Sequence, residues 1–275
     1  MATSVRATLL LAAVFALLTT AVHSDDAALL ENLAAAAESD HRSADHRARN
    51  ATRHPAETLA FFGVRDDMAV VEISPGGGWY TEILAPFLRD NGTLYAANYD
   101  PESESEYYRR NSKAFLDKLA ADPARYDRVI PTIFDPPAKL AAAPPGSADM
   151  VLTFRNVHNW MDEGSEAAAF SAMHTVLKPG GILGIVQHRQ DPAVTQDPKA
   201  DSGYVREDYM IALAEAAGFE LVARSDINAN PKDTKDYPEG VWTLPPTYEL
   251  DDVDRDKYRA IGESDRMTLK FIRNP

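Results

Sequence analysis

Residues 72–78 read Glu-Ile-Ser-Pro-Gly-Gly-Gly and follow the β-branched pair Val70-Val71. Glycines at such a place let a ligand approach bare backbone, and a helix opening just beyond would offer unpaired N–H groups. Three cofactor classes use that device. A phosphate-chain loop ends in Gly-Lys-Ser/Thr, whereas Gly78 is followed by Trp79-Tyr80. A dinucleotide fingerprint begun at Gly76 and Gly78 meets Thr81 where its third small residue belongs. What remains is an acid, Glu72, just ahead of the loop, suited to a cofactor with a cationic amino-acid end and no phosphate. A tight turn made only for packing would use the same glycines.

Further chemistry sits at the ends of later apolar runs. Phe154-Arg155-Asn156-Val157-His158-Asn159-Trp160 falls at the expected carboxyl edge of a sheet, where such folds hold ligands. His158 there, and His188 with Arg189 at the end of another run, are candidates to take a proton from an accepting group; a structural histidine is the alternative reading. Trp79 and Tyr80 suit either a cationic ligand or the core, and aromatics opening a helix are more often core. His41, His46 and His54 are irregularly spaced with no completing signature, so no metal is expected. The acidic run from Asp100 to Glu106 reads as a helix start favoured by the dipole.

These residues need elements to hold them. Ala69–Ser74 is a buried-strand pattern, followed by a helix through Trp79, Ile83 and Phe87 in which Pro86 should make a kink, and by a stop at Asn91-Gly92. Strands are then expected at Thr93–Ala97, Arg128–Phe134, Asp149–Phe154, Ile182–Gln187, Phe219–Arg224 and Met267–Ile272. Helices are expected at Glu104–Leu119, Glu166–Leu177 and Tyr204–Ala217, the second closed by the turn Lys178-Pro179-Gly180-Gly181. Alternation of this kind predicts an α/β, Rossmann-like, seven-stranded and mostly parallel sheet with helices on both faces. An alanine-rich stretch with Leu29, Leu30, Leu33 and Ala37 at helical spacing predicts an N-terminal helical cap.

The chain has 275 residues, 45% hydrophobic, enough for one large domain with extensions. A net charge of −14 opposes phosphate backbones, so nucleic acid is not an expected partner. The start, one cation at Arg6, an apolar run to Val22 and then His23-Ser24, has the layout of a secretory signal peptide over 1–24, with export and no stable membrane insertion after processing. A retained anchor is the alternative. Residues 25–60 then form a helical extension and 61–275 the main domain.

Glu72–Gly78 resembles the first motif of class I S-adenosylmethionine-dependent methyltransferases, an acid followed by glycines at alternate positions, with Ser74 in place of the first glycine. Gly146–Leu152 resembles the acid-led fourth strand of that family, Leu177–Gly181 the turn before its fifth strand, and Ala216–Phe219 the junction into its sixth. The strings GGGWYTEILAP and FRNVHNW are similar to a group of bacterial predicted methyltransferases, often exported. The resemblance implies S-adenosyl-L-methionine as cofactor, with Glu72, Ser74, Gly76, Gly77 and Gly78 around its methionine end. It implies a ribose-binding acid after the second strand, where Asn98 holds the expected position and Asp100 follows. It places Asp135 near the adenine amino group, although a turn before Pro136-Pro137 explains that residue too, and counts Asn156 with the cofactor side. The implied activity is methyl transfer to a small molecule, with His158 or His188 as base. An exported, non-catalytic binding module that keeps the fold is the alternative, since the methyl donor is made in the cytosol.

Overall fold

A computed structural model of the protein describes residues 27–274, so the export segment expected over 1–24 lies outside the described residues. The helices are α1 (27–37), α2 (Ala44–Ala48), α3 (Asn50–Arg53), α4 (Pro55–Phe62), α5 (Thr81–Leu88), α6 (Glu106–Ala121), α7 (Pro123–Tyr126), α8 (Val157–Asp162), α9 (Glu166–Val176), α10 (Glu207–Ala216) and α11 (Arg255–Ile261). The strands are β1 (Ala69–Ile73), β2 (Thr93–Asn98), β3 (Val129–Ile133), β4 (Ala148–Phe154), β5 (Leu177–His188), β6 (Phe219–Ser225) and β7 (Arg266–Arg273). They form one seven-stranded sheet in the order β3-β2-β1-β4-β5-β7-β6. β7 runs antiparallel to both β5 and β6 while the other neighbouring pairs are parallel, which is the expected Rossmann-like, mostly parallel architecture.

Successive side chains on a strand point to opposite faces, and here both faces are covered. Val70, Met150 and Leu152 join Leu33, Leu59, Ile83 and Phe115 from α1, α4, α5 and α6. Val71 and Val151, one residue out of phase, join Val157, Phe170, Met173 and Met210 from α8, α9 and α10. α1 and α4, ahead of β1, are therefore built into the main core, and α4 (Pro55–Phe62) runs across residue 60. Strand order reverses between β1 and β4, which opens a crevice at their carboxyl ends.

The cap docks through α5. Pro86 has no N–H to give the carbonyl of Glu82 four residues back, and the His41 ring Nε2 takes that carbonyl instead, 2.9 Å away. The Glu82 carboxylate itself meets Arg42 (3.4 Å), His46 (2.8 Å) and Lys118 (2.6 Å). Burial alone would raise its pKa, but the hydrogen bonds from His46 and Lys118 hold it down to about 2.

Several element limits differ from expectation. Lys178-Pro179-Gly180 is an exposed excursion within β5, closed by the buried Gly181, and not a turn before the strand: Leu177 already pairs with Ala148, and Ile182 with Met150. Glycine at φ +78° (Gly180) and proline interrupt a strand as readily as they end a helix. The expected helix from Tyr204 starts only at Glu207, because Val205 bridges Arg189 in the sheet plane and the Tyr204 hydroxyl donates to Asp233 at 2.9 Å. The helix expected from Trp79 begins at Thr81. The segment after β4, anticipated only as a strand end, turns at once into α8.

Candidate functional site

The loop between β1 and α5 owes its shape to three residues in the left-handed region: Ser74 at φ +48°, Gly76 at +56° and Gly78 at +80°. Ser74 thus adopts a conformation that glycine takes without a Cβ clash. A Cβ on Gly76 or Gly77 would meet nothing within 4 Å, so both leave the loop backbone open, whereas one on Gly78 would lie 3.0 Å from Phe115. Glu72, buried at the end of β1, accepts a hydrogen bond from the Thr81 hydroxyl at 2.6 Å, and burial pushes its pKa up to about 7.

A cavity of about 860 Å³ lies over the crevice. Glu72, Ser74, Gly76, Gly77, Asn156, His158 and His188, all singled out from the sequence, share its wall. Asp135 lines a small adjoining recess with Ser74, Asn156 and Phe134, and burial raises its carboxyl pKa. Gly78, Asn98 and Asp100 do not reach the wall. Asn98 donates to the Gly76 carbonyl at 3.1 Å and so braces the loop from β2, while its own Oδ1 is buried with no protein partner among the described residues. Asp100 accepts from Lys139 and from the Glu102 backbone, and the Lys139 bond holds its pKa below the usual range. Asn156 spends its side-chain amide on the Ile73 carbonyl (3.0 Å) and Thr153 (3.1 Å), tying the ends of β1 and β4 together.

The two histidines stand 5.5 Å apart, ring centre to ring centre, and burial lowers the pKa of both, His158 to about 4. The side-chain amide of Gln187 lies 3.1 Å from His158 Nδ1 and 3.1 Å from the Gly203 carbonyl. An amide that donates to the carbonyl must also donate to Nδ1, which leaves the His158 proton on Nε2. His188 Nδ1 bonds the Ser264 hydroxyl at 2.5 Å, and its Nε2 has no protein partner among the described residues. Arg189, a candidate on sequence, instead pairs with Asp265 at 2.9 Å.

Tyr80 and Phe154 stack at 3.6 Å on the wall, and Trp79 lies edge-on to Tyr80 beneath the guanidiniums of Arg42 and Arg53. Sequence reasoning missed Arg49, Arg53, Trp242 and Glu263, which also line the cavity. They come from α2–α3, from the long connection after β6 and from the turn before β7, and no local pattern joins them. Arg155 sat unremarked inside a segment chosen for its histidine. No helix among the described residues is long and apolar enough to cross a membrane.

No protein-family model and no curated protein matches the chain. Solved structures do match. A SAM-dependent methyltransferase from Aquifex aeolicus aligns with a TM-score of 0.54 at 14% identity, over 82% of this chain and 92% of that one. The cyclase SpnF aligns at 0.53 and 17% identity, over 86% and 85%. A possible exported protein from Bordetella parapertussis aligns at 0.52 and 12% identity, over 83% and 68%. The fold is that of the class I SAM-dependent methyltransferases.

Proposed function

We propose that the protein binds S-adenosyl-L-methionine over the Ser74–Gly78 loop and transfers its methyl group to a small molecule. The observation that carries this reading is the loop itself: left-handed at Ser74 and Gly76, open toward the crevice, and preceded by a buried carboxylate at Glu72. A cationic amine beside Glu72 would satisfy a group that burial otherwise drives toward its neutral form. Asn98 lies behind the loop, not on the cavity wall, but its buried Oδ1 has no protein donor among the described residues, so a ribose hydroxyl that reached it would find a free acceptor, whereas the Asp100 carboxylate is already occupied by Lys139. Asp135 in the adjoining recess would accept from the adenine amino group.

The cofactor supplies a methyl carbon on a sulfonium, a leaving group that needs no further activation. The chain's task is then to orient the acceptor and take its proton. We assign the proton to His188 rather than His158. Neutral His158 keeps its lone pair on the nitrogen that Gln187 occupies, whereas His188 can donate Nδ1–H to Ser264 and present a free Nε2 lone pair to the cavity.

Residues 1–24 are proposed as an export signal, which would place the mature protein outside the cytosol. A second reading keeps the site but not the transfer; it is favoured by the shared fold of SpnF, a cyclase. Incubating the protein with methyl-labelled S-adenosylmethionine and pools of small thiols, phenols, amines and carboxylic acids separates the two. Label in a product supports transfer; cofactor binding with no labelled product from any pool supports the second reading.

A further inference from the structure

One carboxylate in the cavity is shared among three arginines. Glu263 meets Arg49 Nε at 2.8 Å, Arg53 Nε at 3.0 Å and Arg266 Nη1 at 3.1 Å. Arg155 adds a fourth guanidinium to this neighbourhood, within the field of Glu263, Arg266 and Arg49, but forms no hydrogen bond or ion pair among the described residues. Its place is fixed by the backbone: Arg155 sits at φ +64° and donates its N–H to the Val186 carbonyl at 2.7 Å. Arg49 Nη2 is buried with no protein partner among the described residues. The other wall carboxylates are engaged or remote, since Glu72 binds Thr81, Glu163 accepts from Tyr108 at 3.0 Å, and Glu249 is exposed. Around Glu263 itself, four guanidiniums thus face one carboxylate, a local excess of positive charge in a chain of net charge −14.

Burial lowers the Arg155 pKa only to about 10, so it remains a cation at neutral pH. Arg155 is half-buried and faces the cavity without a counter-ion of its own, and a guanidinium fork matches a carboxylate with two parallel hydrogen bonds. The same chamber holds the stacked rings of Tyr80 and Phe154 together with Trp242. It also adjoins the proposed base: Glu263 is the chain neighbour of Ser264, which bonds His188.

Resting on the methyl-transfer reading, we infer that the acceptor is an organic acid whose carboxylate binds Arg155 with Arg49 beside it and whose apolar body packs on Tyr80, Phe154 and Trp242. The cofactor carries a carboxylate too, so the test must separate the two sources. Calorimetric titrations of the full-length protein and of Arg155→Gln with benzoate, with the neutral benzamide and with S-adenosylhomocysteine do so. The expected result is benzoate at least about tenfold tighter than benzamide on the unaltered protein. In Arg155→Gln that preference should collapse to about twofold while S-adenosylhomocysteine affinity stays within about twofold. Equal binding of benzoate and benzamide to the unaltered protein overturns the inference whether or not the variant folds. So does a variant that keeps its benzoate preference but binds S-adenosylhomocysteine about tenfold more weakly, because the anion is then the cofactor's. If S-adenosylhomocysteine does not bind at all while the Arg155-dependent benzoate preference holds, the anion site stands and the methyl-transfer reading falls.

Discussion

Thr81 donates its hydroxyl to Glu72 Oε2 at 2.6 Å, so the first residue of α5 reaches back across the loop to hold the acid of β1. That single bond does not offset the burial of Glu72, whose pKa stands at about 7 against the ordinary 4.5 of a glutamate. A carboxyl raised on folding binds its proton more tightly in the folded state. Its contribution is therefore most favourable below the unfolded pKa and is lost as pH rises through about 7. Replacing Glu72 by Gln should stabilise the ligand-free protein at about pH 8 by on the order of 1–3 kcal/mol and change little near pH 5. Urea unfolding at both pH values measures this; an equal effect at the two would contradict it.

The tautomer imposed on His158 by Gln187 separates the two histidines kinetically. His188→Gln should lower kcat by about 10²-fold or more, while His158→Gln should act more weakly. Both rings have pKa values below the ordinary 6.5, so they are neutral at physiological pH. The acidic limb of kcat contributed by His188 should lie well below neutrality, so that kcat is flat from about pH 6.5 upward and falls only in more acidic solution. A limb centred near pH 7 that vanishes in His188→Gln would contradict the burial of that ring.

Glu82 joins the cap to α5 and α6 by accepting from His46 and Lys118 and pairing with Arg42, which is 1% exposed. Glu82→Gln leaves Arg42 buried without its counter-charge and should cost about 3–5 kcal/mol. With its pKa depressed to about 2, the stabilisation from Glu82 is present above the unfolded value of 4.5 and lost as pH falls toward 2. Denaturant titrations at about pH 7 and pH 3 should show the difference between variant and parent shrinking in acid.

Ser74 bears a Cβ at φ +48°. Ser74→Gly should stabilise the loop conformation by about 1 kcal/mol, with the crevice unchanged. A loss of stability would mean that the serine hydroxyl makes a compensating bond.

The strands were readable because each is a compact apolar run punctuated by glycine or proline, and burial on both faces demands that composition. Two of the misjudged limits share one physical cause: Leu177 and Val205 are drawn into the sheet by partners, Ala148 and Arg189, that local sequence does not reveal. The site divides the same way. The loop from Glu72 to Gly78 is contiguous and carries its own signature. The arginine cluster is assembled over distance, with Arg53 and Glu263 separated by 210 positions, and only the completed fold brings them together.

The most direct test is calorimetric titration of the protein with S-adenosylhomocysteine, at about pH 6 and pH 8, beside Glu72→Gln. If Glu72 receives the cofactor's amine, binding requires the ionised carboxylate. Affinity should then be micromolar, rise between the two pH values as Glu72 loses its proton, and fall about tenfold and lose that pH dependence in Glu72→Gln. No binding below about millimolar concentration at either pH would contradict the account.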